Sequence, residues 1–167
     1  MKLYTLHRTQ KIPISVEEAW NFLSNPANLK SITPDYMGFD ILSGSERPMF
    51  PGQIIQYVVT PVAGIRTKWV TEITHVKDRE YFVDEQRFGP YSLWHHKHFI
   101  KPIKEGVEME DIIDYKLPFG WIGQLAHPVL VKPKLEEIFE YRRKKLIELF
   151  GEYQENKKMS LKQDILN

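Results

Sequence analysis

Between Phe39 and Leu117 the chain offers six strand-like runs in succession, with no stretch between them long enough to be a crossover helix; this pattern constrains the fold most. The runs are Phe39–Leu42, Gln53–Thr60, Thr67–His75, Tyr81–Arg87, Ser92–Ile103 and Val107–Leu117. Turn chemistry separates them: Ser43-Gly44-Ser45, Pro51-Gly52, Ala63-Gly64, Lys77-Asp78-Arg79, Gly89-Pro90 and Lys104-Glu105-Gly106. Parallel neighbours would need connections of about a dozen residues or more, so the runs are expected to pair consecutively and antiparallel.

Elements on either side complete the pattern. From Leu3 to Ile14 a period of two places Tyr4, Leu6, Arg8, Gln10, Ile12 and Ile14 on one mostly apolar face, which adds a seventh strand. Ser15, with Glu18 three residues on, forms a capping-box signature that opens a helix with Ala19, Trp20, Phe22 and Leu23 as its buried stripe. Asn25-Pro26 stops it, and a second short helical piece through Ala27, Leu29 and Ile32 ends before Pro34. Beyond Leu117, the residues Leu135, Ile138, Phe139, Leu146, Leu149 and Phe150 recur at helical spacing, and Gly151 supplies a stop. Pro118, Pro128 and Pro133 interrupt the approach, leaving 119–132 as either a separate helical segment or an irregular one. The expected fold is therefore α+β: a curved antiparallel sheet of about seven strands, order β-α-α-β6-α, wrapped on a long C-terminal helix. A bent sheet and a single rod do not fill the space between them, so an internal cavity is expected.

Composition narrows the function. The 167 residues carry no break that would divide them, so residues 1–153 read as one domain and 154–167 as a polar tail. Lys plus Arg number 23 against 22 Asp plus Glu, and a net charge of +1 gives no field to recruit nucleic acid. No apolar stretch reaches membrane-spanning length, and the start lacks the apolar run of a secretion signal. With no cysteine, thiolate chemistry is excluded and a cytoplasmic location is the default expectation. There is no phosphate-binding glycine loop, nucleophile elbow, HExxH helix or internal repeat, so no cofactor is expected. Nothing in the sequence fixes an oligomeric state.

The order of elements and three tracts resemble the START-like superfamily, also called SRPBCC or helix-grip. The tracts are FVDEQRFGPYSLWHHKHF (Phe82 to Phe99), MEDIIDYKLPFGWIGQLAHPVL (Met109 to Leu130) and IFEYRRKKLIELF (Ile138 to Phe150). The likeness spans Leu3 to about Tyr153 and is nearest to a bacterial branch of ligand-binding, polyketide cyclase-like SRPBCC proteins. Trp94, His96 and His98 match that branch's Trp-x-His-x-His pattern, and Asp84-Glu85-Gln86 matches a second motif. Where the pattern would set a second polar residue beside the acidic one in the following strand, this chain has Glu110. The resemblance implies a pocket for a hydrophobic ligand and brings no agreed catalytic residues.

Alternation places Trp94, His96 and His98 on one face of their strand. If Lys104-Glu105 makes a tight hairpin, His98 lies opposite Asp111, His96 opposite Ile113 and Trp94 opposite Tyr115. Trp69, Trp94, His96, His98, Asp111, Ile113 and Tyr115 are therefore the expected cavity wall, with Asp111 orienting His98. Arg142 falls on the apolar stripe of the last helix between Phe139 and Leu146, where it must pair or snorkel, and is expected at the pocket mouth facing a ligand carboxylate. Asp84 and Glu85 point apart and read as a solvated strand end. His95, His96 and His98 are close in sequence, but no local cysteine completes a zinc set, and no metal is expected. Three functions are open, one of them a pocketless interaction domain whose sheet binds another protein; the other two use the cavity. The first is binding of an apolar or amphipathic small molecule such as a lipid, polyketide or isoprenoid. The alternative is a cyclase, dehydratase or hydrolase using His98 and Asp111 as acid and base, with Tyr115 assisting.

Overall fold

A computed structural model of the chain describes residues 2–60 and 65–155. The expected turn at Ala63-Gly64 and most of the expected tail lie outside these residues. Seven strands form one antiparallel sheet: β1 (Tyr4–Ile12), β2 (Asp40–Ser43), β3 (Gln53–Val59), β4 (Thr67–Lys77), β5 (Tyr81–Phe88), β6 (Leu93–Ile103) and β7 (Gly106–Lys116). Their spatial order is β1-β7-β6-β5-β4-β3-β2, so the six successive runs form a meander and β1 closes against its last strand. Irregular register in β2/β3 and at two points in β4/β5 marks bulges, which bend a sheet.

Helix α1 (Val16–Leu23) begins at Ser15 with both hydrogen bonds of the capping box in place. Asn25 accepts from the amide of Ala27 and starts a 3-10 segment, Pro26–Ile32. A single 3-10 turn, Asp35–Met37, follows Pro34; Gly38, at φ 52°, ends it in the left-handed region open to glycine. Helix α2 (Gly120–Ala126) runs through a π-helical turn, His127–Val131, into α3 (Lys132–Phe150). The stretch left open by the three prolines is thus helical. Pro133 lies in the first turn of α3, directly after the π-helical turn.

Helix α3 covers the sheet at two places. Near its C-terminal end Leu146 joins Ile12, Ile100, Val107 and Met109 with Ala19 and Trp20 of α1. Near its start Leu135 packs on Leu6, Ile113, Tyr115 and Leu117. A third cluster, Phe39, Val59 and Trp69, lies further along the sheet with Tyr57, Tyr91 and Trp94 against it. A cavity of about 200 Å³ lies among these packed regions. Among the described residues, no helix is long and apolar enough to cross a membrane.

Candidate functional site

The cavity takes its walls from both layers. Strands β3 to β6 contribute Ile55, Tyr57, Trp69, Phe82, Trp94 and others, the 3-10 segment contributes Leu29 and Ile32, and α3 contributes Leu135, Ile138 and Phe139. Aromatic rings line much of it: Trp69 meets Trp94 edge-on at 5.4 Å between centroids, and Tyr91 meets Trp94 at 4.8 Å. Tyr91 is held in place by Gln86, whose side chain donates to the Tyr91 carbonyl at 2.6 Å and accepts from its amide at 3.2 Å. The indole nitrogen of Trp69 is buried and has no hydrogen-bond partner among the described residues.

One polar cluster interrupts this apolar lining. The hairpin between β6 and β7 turns at Lys104-Glu105, with Glu105 at φ 63°, and its register sets Trp94 opposite Tyr115, His96 opposite Ile113 and His98 opposite Asp111. The same alternation carries Asp84 inward on β5, where it pairs with His96 in register. The imidazoles of His96 and His98 lie face to face, 3.6 Å between centroids and 37° apart, with Phe82 stacked on His98 at 4.2 Å.

A carboxylate stands at each side of this imidazole pair. Toward Asp84 Oδ2 point His98 Nε2 at 2.8 Å and His96 Nδ1 at 3.5 Å. Toward Asp111 Oδ1 point His96 Nε2 at 3.1 Å and His98 Nδ1 at 2.8 Å. The His96–Asp111 and His98–Asp84 contacts are aligned hydrogen bonds; the short approach of His98 Nδ1 to Asp111 is out of line. Arg142 joins the cluster from α3, with Nη1 3.5 Å from Asp111 Oδ1.

Burial and charge set the protonation states of these groups. For Asp111, burial opposes ionisation, but the Arg142 charge and the two histidines outweigh it and hold the carboxyl well below its usual range. For Asp84, burial again opposes, and His98 and His96 prevail to lower it. Burial also disfavours charge on both imidazoles. In His96 it wins, helped by the neighbouring His98, and the pKa falls; in His98 the two carboxylates win and the pKa rises. His98 is therefore the imidazole that takes the proton first. With His98 charged, two carboxylates face one guanidinium and one imidazolium, and the buried set is neutral.

Several expected positions differ. Ile113 and Tyr115 share the strand face but are not among the residues lining the cavity. They pack beneath Leu135 at the start of α3, and the Tyr115 hydroxyl is 2.7 Å from His127 Nε2. Asp111 is covered on the cavity side by the two imidazoles it holds, and it borders a separate cleft of about 270 Å³ with Arg8 and Glu136. Arg142 does line the cavity, but it is buried and meets the protein's own carboxylate, because a guanidinium drawn off a helix stripe into the interior needs a counter-charge. Asp84 is no solvated strand end: its side chain is 15% exposed and partners His98. The signal for it was the alternation of β5 read against the His96 register. His95 points to the opposite face, where Nδ1 is 2.9 Å from Glu85. Glu110 also faces outward, bonded to His7 and Lys101.

Comparisons with known proteins agree with the geometry. The family model described as polyketide cyclase / dehydrase and lipid transport matches residues 12–135. A Chromobacterium violaceum protein superposes with a TM-score of 0.67 at 13% identity, covering 89% of this chain and 99% of its own. One from Thermus thermophilus gives 0.64 at 16%, covering 87% and 95%. Norcoclaurine synthase from Thalictrum flavum, in a complex with dopamine and hydroxybenzaldehyde, gives 0.58 at 13%, covering 88% of each chain. At these identities the likeness establishes the fold. No functionally curated protein matches the sequence.

Proposed function

Since the chain belongs to the polyketide cyclase / dehydrase and lipid transport family, with its START-like helix-grip fold, we propose that it binds an amphipathic small molecule in the cavity between sheet and α3. The carrying observation is an aromatic-lined hollow with polar groups gathered at one wall, the usual composition of a small-molecule site. The volume of about 200 Å³ favours a compact ring-bearing ligand over a long acyl chain held entirely inside. The unpartnered Trp69 N–H narrows the class further. A buried donor left without an acceptor costs about 1–3 kcal/mol, which a ligand oxygen near β4 would recover.

The test is titration of an environment-sensitive apolar fluorophore into wild-type protein and into I138W, which projects a larger ring from α3 into the hollow. Saturable one-to-one binding lost in I138W with the fold intact is the expected result. Equal binding by both places the fluorophore elsewhere and removes the reading.

A second reading, acid–base turnover, is favoured by His98 lining the cavity with a carboxylate on each side. In that case H98Q would abolish product formation from a bound ligand while leaving its affinity within a few-fold.

A further inference from the structure

We propose that Asp84, His96 and His98 form a binding site for a divalent transition-metal ion whose remaining coordination position opens into the cavity. One ligand atom from each of the three residues lies within 4.8 Å of the other two. The distances from Asp84 Oδ2, 2.8 Å to His98 Nε2 and 3.5 Å to His96 Nδ1, bracket the spacing of ligand atoms that each stand about 2.0–2.2 Å from one tetrahedral ion. All three residues line the cavity. Two imidazoles and one carboxylate on three-point attachment, with room for an exogenous ligand, is the donor set of open zinc and ferrous sites.

The surroundings strengthen the assignment. Imidazoles that hold a metal through one ring nitrogen commonly direct the other to a carboxylate, which fixes ring orientation and tautomer. Here Asp111 takes that role for His96, whose Nε2 is hydrogen-bonded to its Oδ1 at 3.1 Å, while His98 Nδ1 lies 2.8 Å from the same oxygen but out of line. Arg142 in turn steadies Asp111, with Nη1 3.5 Å from its Oδ1. The pair is placed by strands, not loops, with Phe82 stacked beneath His98, so the ligand atoms are held before any ion arrives.

Charge indicates what would complete the coordination. With both imidazoles neutral, a divalent ion and Arg142 face two carboxylates, leaving one net positive charge in an apolar wall. The open position therefore favours an anionic oxygen, as in a phenolate, an enolate or a carboxylate. This second step rests on the cavity being a ligand site. Metal binding itself does not, and it is measured without any organic ligand, so either idea can fail alone.

Untagged protein is stripped with chelator and titrated with Zn²⁺ by calorimetry, and with Co²⁺ followed by visible absorption. One equivalent should bind, with the absorption bands of a low-coordinate Co²⁺ site. Affinity should fall about 10–100-fold in D111N, which keeps the ligands but loosens their support, and at least as far in D84N and H98Q. H95Q, on the opposite face, should match wild type. Failure of wild-type protein to bind either ion overturns the proposal with no variant needed. Binding that survives D84N and H98Q, or that H95Q removes, overturns it as well. Adding a phenol to the Co²⁺ form should shift the bands; unshifted bands refute the anionic-oxygen step alone.

Discussion

Replacing Asp111 with asparagine keeps shape and removes one charge from the centre of the buried cluster. Its Oδ1 is 3.5 Å from Arg142, 3.1 Å from His96 and 2.8 Å from His98, and both Asp111 and Arg142 are 8% exposed. Loss of one partner from a buried ion pair typically costs about 3–5 kcal/mol, because the other charge is left uncompensated. At about 2–4 °C per kcal/mol for a domain near this size, the melting temperature should fall by roughly 6–20 °C. The pH dependence follows from the sign of the shift. The folded Asp111 pKa is depressed, so its stabilisation is fully present above the unfolded value of about 3.9 and disappears as pH falls through the lower folded value. Urea unfolding should therefore show a gap between wild type and D111N that widens as His98 protonates beside Asp111, persists down to about pH 4 and closes only under stronger acid. Adding R142M to D111N should recover a large part of the loss, since the stranded guanidinium goes with it. A single-variant cost below about 1 kcal/mol, or a double variant weaker than D111N, would refute the account of Asp111 as the counter-charge that lets Arg142 be buried.

Three further predictions concern separate parts of the structure. In metal-free protein the His98 pKa is raised, so its contribution to stability is complete below the unfolded value of about 6.5 and is lost as pH rises through the folded value; NMR titration should place His98 above His96, and D84N should lower it. W69F should weaken acceptor-bearing ligands about 5–10-fold, matching roughly 1 kcal/mol for a hydrogen bond, while hydrocarbon analogues bind as before; calorimetry distinguishes the two. Leu146, 1% exposed where α1, α3 and the sheet meet, should cost about 2–5 kcal/mol when cut to alanine, read by urea denaturation.

The backbone plan was open to reading because its signals are local. Period-two runs with turn residues between them specify a meander, and a two-residue turn at Lys104-Glu105 fixes which residues of β6 and β7 face each other. That register brought His98 and Asp111 together on paper as it does in space. Asp84 escaped because the connection from β5 to β6 is longer, and loop length there does not fix pairing. Ile113 and Tyr115 were misplaced for a different reason: a strand face says which way a side chain points, but where α3 touches down decides whether it meets a cavity or a packed helix. The fate of Arg142 required both facts at once, the helix stripe and the carboxylate waiting across the layer.

The hollow has two kinds of wall, and they are not equally free to change. Its carboxylate and imidazoles, Asp84, His96 and His98, sit on β5 and β6, pinned by ladder hydrogen bonds, whereas much of its greasy boundary comes from the 3-10 segment and from Leu135, Ile138 and Phe139 on α3, which also carries Arg142. Substitutions on the helical side can reshape what fits without disturbing the strand-borne groups. A lineage built on this scaffold could thus exchange one guest for another while retaining the same chemistry at the far end of the chamber, and a designer could do likewise by recoding three positions of a single helix.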